Sequence, residues 1–170
     1  KDGSSGYVGS TVAVNWAIRH LTVDGNKAGG NGNVGVVLSG ERAVLENCEV
    51  KNSGFYNVYV PLGSGLTVRN CLIRDGDHIG IFVGETAWTA SDVTIMGNVV
   101  QSHKQHGVYI HAPGTTVARV QILGNHVTGS GLGSAGGGGI WVLSGTHLII
   151  SENIVHDNHG DNIAASMAIN

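Results

Sequence analysis

The sequence predicts an all-β fold, a right-handed parallel β-helix: a solenoid of about six to seven coils forming a single domain over residues 1–170. Three observations predict it. Six short segments recur at intervals of 22 to 28 residues. Within them the apolar positions are mostly Val and Ile at period two, the pattern of strands with one buried face. Between them lie Gly, Asn, Asp and Ser, the residues of turns.

The repeats run in order as Leu21–Asn26, Ala43–Cys48, Leu66–Cys71, Val93–Asn98, Val120–Asn125 and Leu148–Asn153. Each ends on an anchor: Asn26, Cys48, Cys71, Asn98, Asn125 and Asn153. Three residues before the anchor stand Val23, Leu45, Val68, Ile95, Ile122 and Ile150; two after it stand Ala28, Val50, Ile73, Val100, Val127 and Val155. A third strand follows, with Val36, Val58, Ile81, Val108, Ile140 and Ile163 facing inward. In the fifth coil it arrives five residues late, after the insertion Gly129–Gly138. No single repeat can bury its own apolar face, so the coils must stack and share one core. Asn at the anchor can bond from coil to coil, and it suits a left-handed corner. Cys48 and Cys71 share that column, as neighbouring buried thiols or as a rung-to-rung disulfide.

Composition narrows the function. Gly numbers 28, charged residues are 12% and the net charge is −3 with nine His neutral. No basic stripe invites nucleic acid. No apolar run has the roughly 18 residues of a membrane helix. The chain starts at Lys1 and stops in mid-pattern at Asn170, and is expected to be a fragment of a longer β-helix protein.

Core columns are structural, so chemistry must sit on outward columns and in turns. Two outward features stand out. Val37, Tyr59, Phe82, Tyr109 and Trp141 fall one residue after the inward Val36, Val58, Ile81, Val108 and Ile140. They should form an outward ladder, either a platform for sugar rings or a strip covered by a loop or a neighbouring subunit. The turn before that strand carries Arg74, Asp75, Asp77 and His78 in coil three, Gln101, His103, Lys104 and His106 in coil four, and His156, Asp157, His159 and Asp161 in coil six. His and carboxylates on adjacent rungs suit acid–base work, and Asp75 and Asp77 could hold a divalent cation such as calcium. A solvated turn has the same composition. The stretch Gly136–Gly139 reads as part of a loop over the groove.

The segments Val93–Val100 and His106–Ile110 resemble the pectate-lyase-like right-handed β-helix superfamily, which includes polysaccharide lyases, polygalacturonases, mannuronan epimerases and phage tailspikes. His106–Ile110 looks like the Gly-His-Gly-Ile strand of polygalacturonases, with Gln105 in place of the first Gly. Gly160–Ala164 looks like their Asp-Asp-Cys-Ile-Ala strand, with Asn162 in place of the second Asp and in the opposite chain order. The Asp-Pro-His motif of the epimerases is missing.

The resemblance implies a carbohydrate-active domain that binds, and cleaves or epimerises, an acidic polysaccharide. His78, His106, Asp77, Asp161 and Lys104 are the candidate catalytic residues. Tyr59, Phe82, Tyr109, Trp141 and Arg74 are the candidate substrate-binding residues, and Asp75 with Asp77 the candidate metal ligands. The alternative is a non-catalytic shaft of a phage tail spike, fibre or surface protein, assembled as a homotrimer or end to end. Either reading expects an extracellular, cell-surface or virion location.

Overall fold

The computed structural model describes residues 8–10, 14–27, 32–85, 89–112, 117–133 and 136–165. Ala28 of the inward column, both chain ends, and Ser134 and Ala135 of the fifth-coil insertion lie outside them.

The chain winds into a right-handed solenoid of three parallel sheets. One, here the ladder sheet, has seven strands: Val8–Ser10, Val36–Leu38, Tyr56–Val60, Ile79–Val83, Val108–Ile110, Ile140–Val142 and Ile163–Ala165. The second, the broad sheet, runs through Ala17–Arg19, Val44–Glu46, Thr67–Arg69, Ala90–Met96, Val117–Leu123 and Ile149–Ser151, with Gly40–Glu41 and Gly63–Ser64 beside it. The third, the narrow sheet, contains Thr22–Asp24, Glu49–Lys51, Leu72–Arg74, Val99–Gln101, His126–Thr128 and Ile154–His156. Its six rungs correspond to about five turns, slightly fewer than the expected coil count.

Inward side chains make one continuous core. Leu45, Val68, Ile95 and Ile122 come from the broad sheet, Val50, Ile73, Val100 and Val127 from the narrow one, and Val58, Ile81, Val108 and Ile140 from the ladder sheet. Nearly all are fully buried.

The corners are set by the backbone. Among the described residues, all but one of the 14 non-glycine residues at positive φ sit at one of three columns. One holds His20, Asn47, Asn70 and Glu152, continued by Gly97 and Gly124. The second holds Asn52, Asp75, Ser102 and Asp157; in the first coil the positive φ falls one residue later, on Asn26. The third holds Asn15, Arg42, Asp92, Arg119 and His147. The left-handed residue therefore precedes the anchor and is not the anchor itself. The anchor is free to point inward.

There the asparagines bond as a ladder. Asn98 Nδ2 donates to Asn125 Oδ1 at 3.0 Å, and Asn125 Nδ2 to Asn153 Oδ1 at 2.9 Å. The same amides reach back to the carbonyls of Val68 and Ile95. Cys48 and Cys71 are free thiols that do the same job more weakly, donating at 3.7 Å to the carbonyls of Ile18 and Leu45. No disulfide joins them, and burial pushes the Cys71 thiol up to about 11.

The first coil corrects the sequence reading. Ala17-Ile18-Arg19, not Thr22-Val23-Asp24, pairs with Val44-Leu45-Glu46. Val23 pairs with Val50, one strand further on. Leu21 therefore stands at the anchor, its carbonyl accepting from Glu49 N. The segment Leu21–Asn26 resembles the other repeats by sequence, but with Leu at the anchor the first coil has no side-chain donor there. Its third strand starts at Val36, 15 residues after Leu21, the same delay as from Asn125 to Ile140.

Candidate functional site

The outward column of the ladder sheet forms as the alternation predicts. Val37 pairs with Tyr59, Tyr59 with Phe82, Phe82 with Tyr109, and Tyr109 with Trp141. Tyr59 and Phe82 stack with centroids 5.6 Å apart and planes 4° apart; Phe82 and Tyr109 stack at 5.5 Å and 20°. The rings thus turn their faces to one another along the solenoid axis. Phe82 is only 8% exposed. His106 enters the column beside the last two rungs, stacked on Tyr109 at 4.6 Å and edge-on to Trp141 at 4.8 Å.

Several members of this surface are not evident from the column alone. Tyr56 packs on Tyr59 and Phe82 at 5.2 and 4.8 Å, and Phe55 joins Tyr56 to His78. The Tyr59 hydroxyl donates to Glu85, and the Tyr109 hydroxyl is 3.0 Å from His111 Nδ1. Glu85 and His111 lie just past the ends of the strands on adjacent rungs, which strand alternation does not address.

Electrostatics fix the protonation of this face. Burial, with Glu85 beside it, pushes the Tyr56 phenol up to about 12. Burial and the Glu85 hydrogen bond raise Tyr59 further, and burial raises Tyr109. These phenols are donors at neutral pH, not bases. Burial lowers His106 to about 4, so its imidazole is neutral, with Nδ1 buried and unpartnered.

The titratable edge divides into separate groups. Asp77 lies between Lys104 Nζ at 3.0 Å and Lys27 Nζ at 3.5 Å. Burial opposes its charge, but the two ammonium groups win and its pKa falls below the ordinary value. Arg74 faces away on the narrow sheet, donating to Glu49 at 2.9 and 2.7 Å and pairing with Asp75. A calcium ion at Asp75 and Asp77 would have to displace these cations. Among the described residues no group of three or more His, Cys, Asp or Glu is arranged to hold a metal. His78 packs on Phe55, Asp161 is exposed on the last rung, and no side-chain hydrogen bond joins His78, His106, Asp77 and Asp161 to one another among the described residues. His103 lies in the core, wholly buried.

The fifth-coil insertion borders the His106 end. Gly131 N and Gly133 N donate to the carbonyls of His103 and Lys104, and Gly107 N to the carbonyl of Gly138. The described part of the loop is therefore tied to its neighbours by backbone bonds.

The family described as right handed beta helix region matches residues 12–168. No curated protein matches the chain. Among solved structures the chain is similar to two A-modules of mannuronan C-5 epimerases from Azotobacter vinelandii. For AlgE6 the identity is 15%, covering 95% of this chain and 76% of that one, with a TM-score of 0.41. For AlgE4 the values are 14%, 95%, 74% and 0.40. Likeness at this level carries no statement about substrate or activity.

Proposed function

Since the chain belongs to the family of right-handed β-helix regions, we propose that it is a carbohydrate-active domain whose ladder sheet binds an extended polysaccharide. The observation that carries this reading is the grouping on one sheet face of half-buried aromatic rings with two hydroxyl pairs, Tyr59–Glu85 and Tyr109–His111. Sugar rings have apolar C–H faces and polar rims, and such a surface meets both. Because the inner rings spend their faces on one another, the glycan meets ring edges and hydroxyls along most of the ladder. Trp141, on the last aromatic rung, supplies an apolar contact.

For cleavage or epimerisation of a uronate, the group best suited to take the C5 proton is the neutral imidazole of His106. Lys104 in the same turn is the nearest cation in sequence for the carboxylate. An acidic glycan is the substrate class that would use this cation. The reading implies an extracellular, cell-surface or virion setting.

The test is titration of the protein with oligouronates by calorimetry, with Trp141→Ala and Tyr109→Phe alongside. Saturable binding lost in Trp141→Ala supports the proposal; no binding by the parent chain overturns it. A second reading is a non-catalytic shaft, favoured by the self-stacking of the rings and the near-complete burial of Phe82. Sedimentation that finds a trimer whose formation is lost in Trp141→Ala would favour the shaft over glycan binding.

A further inference from the structure

The outer face of the broad sheet carries a second arrangement, away from the ladder. Its strands kink at a left-handed residue, and arginine holds that position twice, Arg42 at φ 51° and Arg119 at φ 53°. Each reaches the residue one rung back in the same column. Arg119 donates from Nε and Nη2 to the two oxygens of Asp92 at 2.6 and 2.7 Å, so its charge is cancelled. Arg42 donates from Nε to Asn15 Oδ1. An amide holds the guanidinium in place but leaves its charge whole, with both Nη groups unspent.

Left-handed backbone costs stability in a residue with a long side chain. On the rung between Arg42 and Asp92 the same position is filled by Gly65. The bend itself therefore asks for no arginine. Across the sheet from Arg42 stands Arg19. Its Nε donates to Glu46, which also accepts from Arg69 Nε at 2.6 Å. One carboxylate thus serves two guanidiniums, and Arg19 keeps its own Nη groups.

Asn15, Arg19 and Arg42 line one shallow cavity of about 300 Å³, whose floor is Ala17 and Val44. The polar side chains on its rim all donate: the Nη groups of both arginines and the Asn15 amide, whose Oδ1 is already taken. No carboxylate of the described residues lines it. Forked donors on two guanidiniums select an oxyanion, which accepts parallel N–H···O bonds from each. The floor of short apolar side chains suits the C–H face of a small ring, and the volume is that of a modest ligand pocket. Three rungs on, the corresponding cavity is lined by Asp92 and Arg119, a pair closed on itself.

We propose that the cavity between Arg19 and Arg42 binds an oxyanion group, carboxylate or sulfate ester, carried on an acidic saccharide. Arg42 and Arg19 take the oxyanion, the Asn15 amide takes a neighbouring hydroxyl, and Ala17 with Val44 underlies the sugar ring. The site lies on a different sheet from the ladder and does not depend on glycan binding there.

The experiment is titration of the isotope-labelled 170-residue chain with galacturonate, galactose sulfate, galactose and inorganic sulfate, read by the Nε–H resonances of Arg19 and Arg42. At least one acidic sugar should shift both resonances saturably, and the tighter of the two identifies the anionic group. Added NaCl should weaken that binding, and galactose should shift neither resonance. Arg42→Gln should weaken it about tenfold or more. Asn15→Asp should do the same, because it cancels the Arg42 charge as Asp92 cancels that of Arg119. Arg119→Gln and Trp141→Ala should leave it unchanged, the second separating this site from the ladder. No saturable shift with either acidic sugar overturns the proposal, as does undiminished binding in Asn15→Asp. Inorganic sulfate binding as tightly as the sugars also overturns it, since the cavity would then be a simple anion site. Circular dichroism of each variant separates loss of the site from loss of fold.

Discussion

His103 occupies the space that Gly76 leaves open: a Cβ on residue 76 would lie 2.7 Å from His103 Cδ2 and 2.7 Å from Asn57 Oδ1. Gly80 on the same rung meets the other side of the ring, where a Cβ would stand 2.9 Å from Cε1. Rung three is thus Gly-lined because a side chain from each neighbouring rung enters it. Gly76→Ala is expected to cost about 1–3 kcal/mol by overpacking. Gly76→Ala combined with His103→Ala should cost less than the sum of the two, with a coupling of about 1 kcal/mol or more. Urea unfolding of the four proteins measures it, and strict additivity would contradict the packing described.

The same histidine should make the protein acid-sensitive. Burial lowers the His103 pKa to about 3, against about 6.5 when unfolded. A depressed folded pKa means the unfolded state takes up the proton first. The contribution is therefore fully present above about pH 6.5 and is lost as pH falls towards 3, at about 1.4 kcal/mol per pH unit. His106, lowered to about 4, acts in the same direction. Between pH 6.5 and 5, where carboxylates contribute little, His103→Leu should reduce the slope of stability against pH by about one proton. An unchanged slope would place the titration elsewhere.

The anchor column predicts a stabilising substitution. In Cys71→Asn the new amide can donate to the Leu45 carbonyl, now reached by the thiol at 3.7 Å, and its Oδ1 can accept from Cys48 N as Asn98 Oδ1 accepts from Cys71 N at 2.9 Å. A gain of about 1 kcal/mol is expected. Cys71→Ala removes the donor without adding bulk, and should destabilise. Thermal melts of the two variants in parallel read the difference.

Phe82 and Trp141 should separate structure from binding. Phe82 sits between two stacked neighbours, and Phe82→Ala should cost about 3–5 kcal/mol. Trp141 is only half-buried and touches His106 edge-on, so Trp141→Ala should cost less stability and more glycan affinity. Melting temperature and oligouronate titration, measured on both variants, test the pair of expectations.

The fold was legible because every coil repeats the same inward positions, so columns such as Leu45, Val68, Ile95 and Ile122 reinforce one another. The error fell where one coil lacks company: Leu21–Asn26 mimics a repeat, and only the pairing of Ile18 with Leu45 shows it to be one strand late. The left-handed corner was sought on the anchor asparagines, yet it falls on Asn47, Asn70, Gly97 and Gly124, a column as regular as the anchors themselves.

The aromatic column was legible from alternation; the way its rings face one another was not, because that depends on rotamers. Their partners Glu85 and His111 escaped because they lie past the strand ends, where alternation no longer applies. Asp77 was legible as an edge residue, but its neighbour Lys27 comes from two coils earlier, in the misassigned first repeat.

The three columns of left-handed residues have a consequence for how such a protein can change. Two of them set the bends from the broad to the narrow sheet and from the narrow to the ladder sheet, and the third kinks the broad sheet itself. Length can then be absorbed after a corner without altering any bend: the fifth coil takes five extra residues before Ile140, and the rungs above and below still meet in register. The solenoid is modular in that sense. Its turns are hinged at fixed points, and new surface can be written between them one coil at a time.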